Sequence, residues 1–211
     1  MDPKRAEQAL RKGRPVVLYD GDEREGEADI VLHASFATPA KIEMLRKDAG
    51  GLICLAIDGR QAAGLGIPFY GELLEKCGGP LKQLSCSKTA YGDSPAFSIS
   101  VNHKRVYTGI TDRDRALTIR EMAGVVEADE PGKLFVENFY SPGHVFLLIG
   151  RGLGKRRGHT ELALEIAKKA GMSGAVVLCE MLGSGNALPK KRAKEYAEKN
   201  DLVFIEGKEI R

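Results

Sequence analysis

The sequence predicts an α/β fold: one mixed β-sheet covered by helices on both faces. Short apolar runs of strand length recur at 16–18, 52–57, 145–149 and 175–179, and such runs read as buried strands. Segments of helical periodicity lie between them. The clearest, 161–170, puts Leu162, Ala163, Ile166, Ala167 and Ala170 on one face. Strands and helices mix irregularly in the middle of the chain and alternate at its end, the pattern of a mixed sheet with helices packed on it. A chain of 211 residues is long enough to bury one core, so residues 1–211 are expected to form a single domain.

Each element follows from local chemistry. Asp2 can cap an opening helix over 2–12, with Pro3 at its first position and Gly13 at its end. Residues 15–19 and 28–33 read as strands. Thr38-Pro39 starts a helix by the same cap-plus-proline logic, and Gly50-Gly51 stops it. Strand 52–57 follows, then a short helix within 59–66. Residues 71–95 are rich in Gly, Ser and Pro and read as a loop, long enough to be functional or to hide an element. Residues 97–102 alternate as a strand. Thr111-Asp-Arg-Asp114 looks like a capping box for a helix ending near Gly124. Residues 129–132 read as a turn, and Ser141-Pro-Gly143 leads into the strand at 145–149. Thr160 is the natural cap of helix 161–170 and Gly171 its stop. Strand 175–179 is ended by Glu180, and helix 190–200 and strand 202–206 close the chain.

Composition narrows the function. A hydrophobic share of 43% with 29% charged residues is ordinary for a soluble protein. A net charge of +3 is too small to argue for a nucleic-acid partner. No apolar run approaches membrane-spanning length, and the polar start of the chain is not a signal-peptide core. The four cysteines, Cys54, Cys77, Cys86 and Cys179, form no C-x-x-C pair, which argues against structural zinc. Cys54 and Cys179 sit in apolar runs and read as buried thiols, consistent with a reduced, cytoplasmic setting.

Two charged segments carry the chemistry. Residues 20–29 pack six carboxylates and one arginine into ten positions directly after an apolar strand. A core excludes that charge and a helix suffers from its repulsion, leaving a solvated turn, a cation site or a set of general acids and bases. If 25–29 is extended, Glu25, Glu27 and Asp29 share one face, where crowding can raise their pKa values for proton transfer. The second segment places Arg151, Lys155, Arg156 and Arg157 just before a helix start. Free N–H groups, the helix dipole and an arginine fork together suit a phosphate, and the alternative is a solvated basic loop. It is not a nucleotide P-loop, because Arg156 stands where Ser or Thr is needed. One histidine, His159, with one or two carboxylates suits Mg²⁺ or Mn²⁺. His144 and Glu180 flank buried strands, where ligands gather in α/β sheets, although each could equally be a solvent-facing residue. An acidic and a basic loop in one small domain point to a phosphorylated, metal-chelated substrate.

These motifs resemble one family. Residues 22–29, Gly51-Leu-Ile-Cys-Leu55, Thr89-Ala-Tyr-Gly92, Thr108-Gly109, Asp114-Arg115, Pro142-Gly-His-Val-Phe146, Arg157-Gly-His-Thr-Glu161 and Val177-Leu-Cys-Glu180 are similar, in order, to 3,4-dihydroxy-2-butanone 4-phosphate synthases. The resemblance implies a three-layer fold with a mixed, twisted sheet. It implies a homodimer that turns D-ribulose 5-phosphate into the four-carbon ketone phosphate plus formate, with Mg²⁺ or Mn²⁺, two ions per site. On that resemblance Glu25 and His159 are metal ligands. Arg24 and Asp29 contact substrate hydroxyls, and Arg156, Gly158 and Thr160 cradle the phosphate, with Arg157 beside them. His144 and Glu180 match positions essential for turnover, and Glu27, Asp29 or His144 could take the C3 proton. Substrate-binding residues are thus Arg24, Glu25, Asp29, Arg156, Arg157, Gly158, His159, Thr160 and Glu180. The partner is a small molecule, with no nucleic acid and no membrane, since the acidic loop repels a polyanion. A different metal-dependent sugar-phosphate isomerase or aldolase is the alternative reading, and it would release no formate.

Overall fold

The computed structural model describes residues 3–85 and 88–211. Its centre is a mixed sheet of β1 (Val16–Tyr19), β2 (Ala28–His33), β3 (Cys54–Asp58), β4 (Phe97–His103), β5 (Phe139–Gly150), β6 (Ala175–Glu180) and β7 (Val203–Glu206), in the order β4-β5-β3-β6-β2-β1-β7. β3 runs parallel to β5 and β1 to β7, whereas β1–β2, β2–β6, β3–β6 and β4–β5 are antiparallel. β1 and β2 are buried at every position, as expected of strands covered on both faces.

Two helical layers make this burial possible. On one face α2 (Pro39–Met44), α3 (Gly59–Leu65), α6 (Asp112–Val125), α7 (Pro131–Asn138) and α9 (Lys190–Lys199) pack Ile42, Leu65, Ile119, Met122, Phe135 and Ala193 against Ile30, Leu32, Leu55 and Val177. On the other, α1 (Pro3–Arg11) and α8 (His159–Lys169) pack Leu10, Leu162, Ile166 and Ala167 against Leu18, Val31, Ala56 and Leu178. The expected three-layer arrangement of a mixed sheet between helices is therefore present.

Most local signals hold. Thr38 caps α2 by accepting from the N–H of Lys41 (3.3 Å), and Thr111 caps α6 by accepting from that of Asp114 (3.1 Å). The proposed Asp2 cap lies outside the described residues. Three expectations change. The stretch read as a loop contains α4 (Tyr70–Cys77) and α5 (Gly79–Gln83), neither with a buried residue. Helices lying on the surface leave no continuous apolar stripe to detect. The turn at 129–132 is the start of α7, with Pro131 in its first turn. Thr160 is not a cap, because α8 begins one residue earlier, at His159, with Gly158 in the cap position and no side-chain cap bond.

At the far end of β2, His33 is buried. Its Nε2–H donates to Ser173 O (3.1 Å), and Nδ1 accepts from the Ser35 hydroxyl (2.8 Å). Burial holds its pKa below the usual histidine value. The folded state therefore binds fewer protons than the unfolded chain below pH 6.5, so stability falls as pH drops through that region. Thermal unfolding from pH 7.5 to 5 should show a falling Tm, with a shallower slope in His33→Gln.

Candidate active site

β1 ends at Tyr19, and the acidic segment opens with a buried carboxylate turned inward. Asp20 Oδ1 accepts from the N–H groups of Gly21 (2.8 Å) and Glu27 (3.2 Å), and Oδ2 from that of Glu25 (3.1 Å). Three backbone donors that would otherwise need water are satisfied by one side chain. The loop is thereby folded back, and Asp20 N–H donates to Glu27 O (3.2 Å). Gly26 takes φ 68°, a left-handed conformation that glycine adopts without strain. The segment is therefore not extended from Glu25 onward, and the turn, not strand alternation, brings Glu25 inward.

The six carboxylates divide. Asp22 turns outward, accepting from the Tyr19 hydroxyl (2.6 Å) and lying 3.6 Å from Lys190 Nζ. Glu23 is exposed. Asp20, Glu25 and Asp29 gather around His159, the buried first residue of α8. Its Nε2–H donates to Glu27 O (3.1 Å) and lies 3.5 Å from Asp29 Oδ1, while Nδ1 is 3.8 Å from Glu25 Oε2. Asp20, Glu25 and His159 each offer a ligand atom within 4.8 Å of the others. Two carboxylates and an imidazole suit Mg²⁺ or Mn²⁺. A buried Asp29 Oδ1 with no aligned donor also fits a missing positive partner.

The electrostatics agree. Burial opposes a charged His159, but Asp29, Asp20 and Glu25 outweigh it and raise its pKa. Burial pushes Asp29 up to about 7 against the pull of His159, with Glu180, Glu25 and Glu27 adding repulsion. Burial and Glu25 raise Glu27. Crowded and buried in this way, Asp29 can hold and move a proton near neutral pH. Burial pushes the Cys54 thiol well up, so it is packed and not a reactive thiolate.

The basic segment also divides. Arg156 is buried and donates through Nη1 to Glu161 Oε2 (2.7 Å), while Glu161 Oε1 accepts from Arg151 N–H (3.0 Å). Arg156 Nη2 lies 3.6 Å from Glu25 Oε1, so the basic and acidic segments meet. Gly158 is required here, because a Cβ would overlap the Arg156 guanidinium. Thr160 is buried in the first turn of α8. Arg157, expected beside the substrate, is instead engaged on the main chain of the C-terminal segment, donating to Gly207 O (3.1 Å) and Ile210 O (2.7 Å). Arg24 lies 3.5 Å from Asp20, 3.6 Å from Glu25 and 2.7 Å from Asp93.

Glu180 ends β6 opposite Asp29 on β2, and its Oε2 accepts from Leu52 N–H (2.9 Å). Gly51 must be glycine there, since a Cβ would lie 2.6 Å from Glu180 O. His144 is not brought to this group. β6 and β3 separate its strand from β2, about 14 Å at the usual strand spacing. It is exposed, its N–H donates to Asn102 Oδ1 (2.9 Å), and its Nδ1 accepts from Asn102 Nδ2 (3.2 Å). Sequence reasoning assigned no role to Asp20, Asp93 or Glu161. Asp20 had a usable signal, an Asp-Gly pair at a strand end. Asp93 had none, because its importance lies in contacts across the fold, and Glu161, although it bonds groups only five and ten residues away, looks like any acid in a first helical turn.

Comparison with known proteins extends the picture. The family model described as 3,4-dihydroxy-2-butanone 4-phosphate synthase matches residues 4–211. The chain is 44% identical over 214 residues to the synthase of that name from Archaeoglobus fulgidus, covering 96% of this chain and 89% of the relative. It is 41% identical over 209 residues to that of Methanothermobacter thermautotrophicus, covering 96% and 91%. Among solved structures it is similar to a 3,4-dihydroxy-2-butanone 4-phosphate synthase in complex with two magnesium ions, with TM-score 0.80, 25% identity, and coverage of 99% of this chain and 94% of that one.

The geometry makes Asp20 the organiser of the candidate cation site. Asp20→Asn replaces one acceptor with a donor facing a backbone N–H. It should weaken Mg²⁺ binding by about tenfold, the usual effect of losing a supporting contact, as read by calorimetric titration.

Proposed function

The chain belongs to the 3,4-dihydroxy-2-butanone 4-phosphate synthase family, and on that premise we propose that it converts D-ribulose 5-phosphate into L-3,4-dihydroxy-2-butanone 4-phosphate and formate in riboflavin biosynthesis. The observation that carries this reading is the position of Glu25, which has His159 3.8 Å from one carboxylate oxygen and Arg156 3.6 Å from the other. A cation-binding group and an anion-binding group thus lie against one carboxylate, as a chelated sugar phosphate requires.

Glu25 and His159 would hold a divalent cation, Mg²⁺ or Mn²⁺, at a site that takes two such ions. Bound there, the cation supplies positive charge that polarises the substrate carbonyl and acidifies the neighbouring C3 proton. Asp20 adds negative field while holding the loop. Arg156, with the N–H group of Gly158 and the hydroxyl of Thr160, receives the phosphate at the start of α8. Arg24 and Asp29 orient the sugar hydroxyls. Glu27 or Asp29, each raised in pKa, takes up the C3 proton, and Glu180 serves the later proton transfers as C4 is released as formate.

The protein acts as a homodimer on a small molecule and not on nucleic acid. Leu52, Ile110 and Tyr140 are exposed apolar residues, and the Asn102 amide that bonds His144 also donates to the Tyr140 hydroxyl (2.9 Å). Such apolar exposure suits a second copy, and His144 then acts from the dimer interface. Residues 1–211 form one synthase unit. No helix among the described residues is long and apolar enough to cross a membrane, and the free thiols of Cys54, Cys77 and Cys179 suit the reducing cytoplasm.

Ribulose 5-phosphate with Mg²⁺ should yield formate in one-to-one ratio with substrate consumed; turnover without formate would replace this reading by an isomerase or aldolase. Glu25→Gln should abolish metal-dependent turnover with an unchanged circular dichroism spectrum. Thr160→Ala should raise KM roughly 10–100-fold, the weight of a hydrogen bond to a charged group. Its Tm should stay near wild type, because Gly158 and not Thr160 is the cap.

A further inference from the structure

The two guanidinium groups assigned to substrate already share an acceptor. Asp93 Oδ2 lies 2.7 Å from Arg24 Nη2 and 3.2 Å from Arg156 Nε. Asp93 belongs to neither charged segment. It is carried by a turn at 89–93, closed by the Thr89 N–H and hydroxyl donating to Asp93 O (2.7 and 3.0 Å). The flank of this turn is tied down by Arg151, which donates to Pro95 O (3.1 Å) and lies over the Phe69 ring (3.8 Å). The Tyr91 ring lies 5.7 Å from the Arg24 guanidinium.

Charge counting shows what this contact does. Arg156 faces Glu161 at 2.7 Å, Asp93 at 3.2 Å and Glu25 at 3.6 Å. With Arg24 included, which also lies 3.5 Å from Asp20, two positive charges meet four negative ones, so an arriving phosphate dianion is repelled unless a carboxylate leaves. Asp20 is held by three backbone N–H groups. Glu161 is fully buried and bonded at both oxygens. Glu25 is fixed by the Asp20-bound turn. Asp93 is 24% exposed and sits on a surface turn. Its hold is also imperfect: Arg24 Nε and Arg156 Nε are buried with no aligned acceptor, and unpaired buried donors favour replacement by a group with more oxygens.

We propose that Asp93 is an internal competitor for the substrate's phosphate, occupying Arg24 and Arg156 in the empty enzyme and giving way when the sugar phosphate binds. Asp93 thereby sets the affinity of the site. This rests on the assignment of Arg156 to the phosphate.

The test is calorimetric titration of the Mg²⁺-supplemented protein with inorganic phosphate, alongside KM for ribulose 5-phosphate. Asp93→Asn should bind phosphate roughly 3–10-fold more tightly, the effect of removing one partly exposed charge close to the anion, and KM should fall in proportion. Asp93→Glu, which keeps the charge, should stay near wild type. Unchanged or weaker phosphate binding in Asp93→Asn overturns the proposal. Arg156→Gln separates the two readings. If it loses phosphate binding while Asp93→Asn gains none, only the role of Asp93 fails. If it binds phosphate as wild type does, the phosphate site itself is misplaced.

Discussion

The buried Asp20 carboxylate is the constraint on which the site rests. It takes the backbone N–H groups of Gly21, Glu25 and Glu27 and bends the chain between β1 and β2 into a return. Without that return, Glu25 would continue the direction of β1 into solvent. With it, the carboxylate faces the first turn of a helix from the other end of the sequence. The cost of burying one charge is offset by three charge-assisted bonds and by nearby Arg24, 3.5 Å away.

The remaining geometry is a consequence of the sheet. β2 and β6 pair so that Asp29 stands opposite Glu180, and α8, packed beneath through Leu162 and Ile166, delivers His159 to the same strand ends. Arg156 is oriented by Glu161, five residues further on. Glu25 and Arg156 are thus each held by another group, the Asp20 carboxylate and Glu161. This is how a fold keeps like charges close without dispersing them.

Much of this was legible in the sequence. The strands adjoining the site are apolar runs with sharp polar ends, and the acidic segment and His159 stand out because no core or solvated helix explains them. What was not legible is instructive. α4 and α5 have no buried residue, so nothing in their pattern marks a packed face. Thr160 satisfies every local rule for a cap, but the helix starts one residue before it, at His159, with Gly158 in the cap position. Arg157 and Arg156 are indistinguishable by type. Only the third dimension decides which meets Glu161 and which meets the C-terminal carbonyls. Asp93 shows no pattern at all, since its partners lie about 60–70 residues away and are fixed by tertiary contacts.

The start of α8 has one more implication. Arg156, Gly158, His159, Thr160 and Glu161 are near-consecutive along a single stretch of main chain, buried apart from their contacts with the acidic turn. The spacing between His159 and Arg156 is therefore written in peptide bonds. Thermal breathing of the surrounding layers leaves that gauge almost untouched.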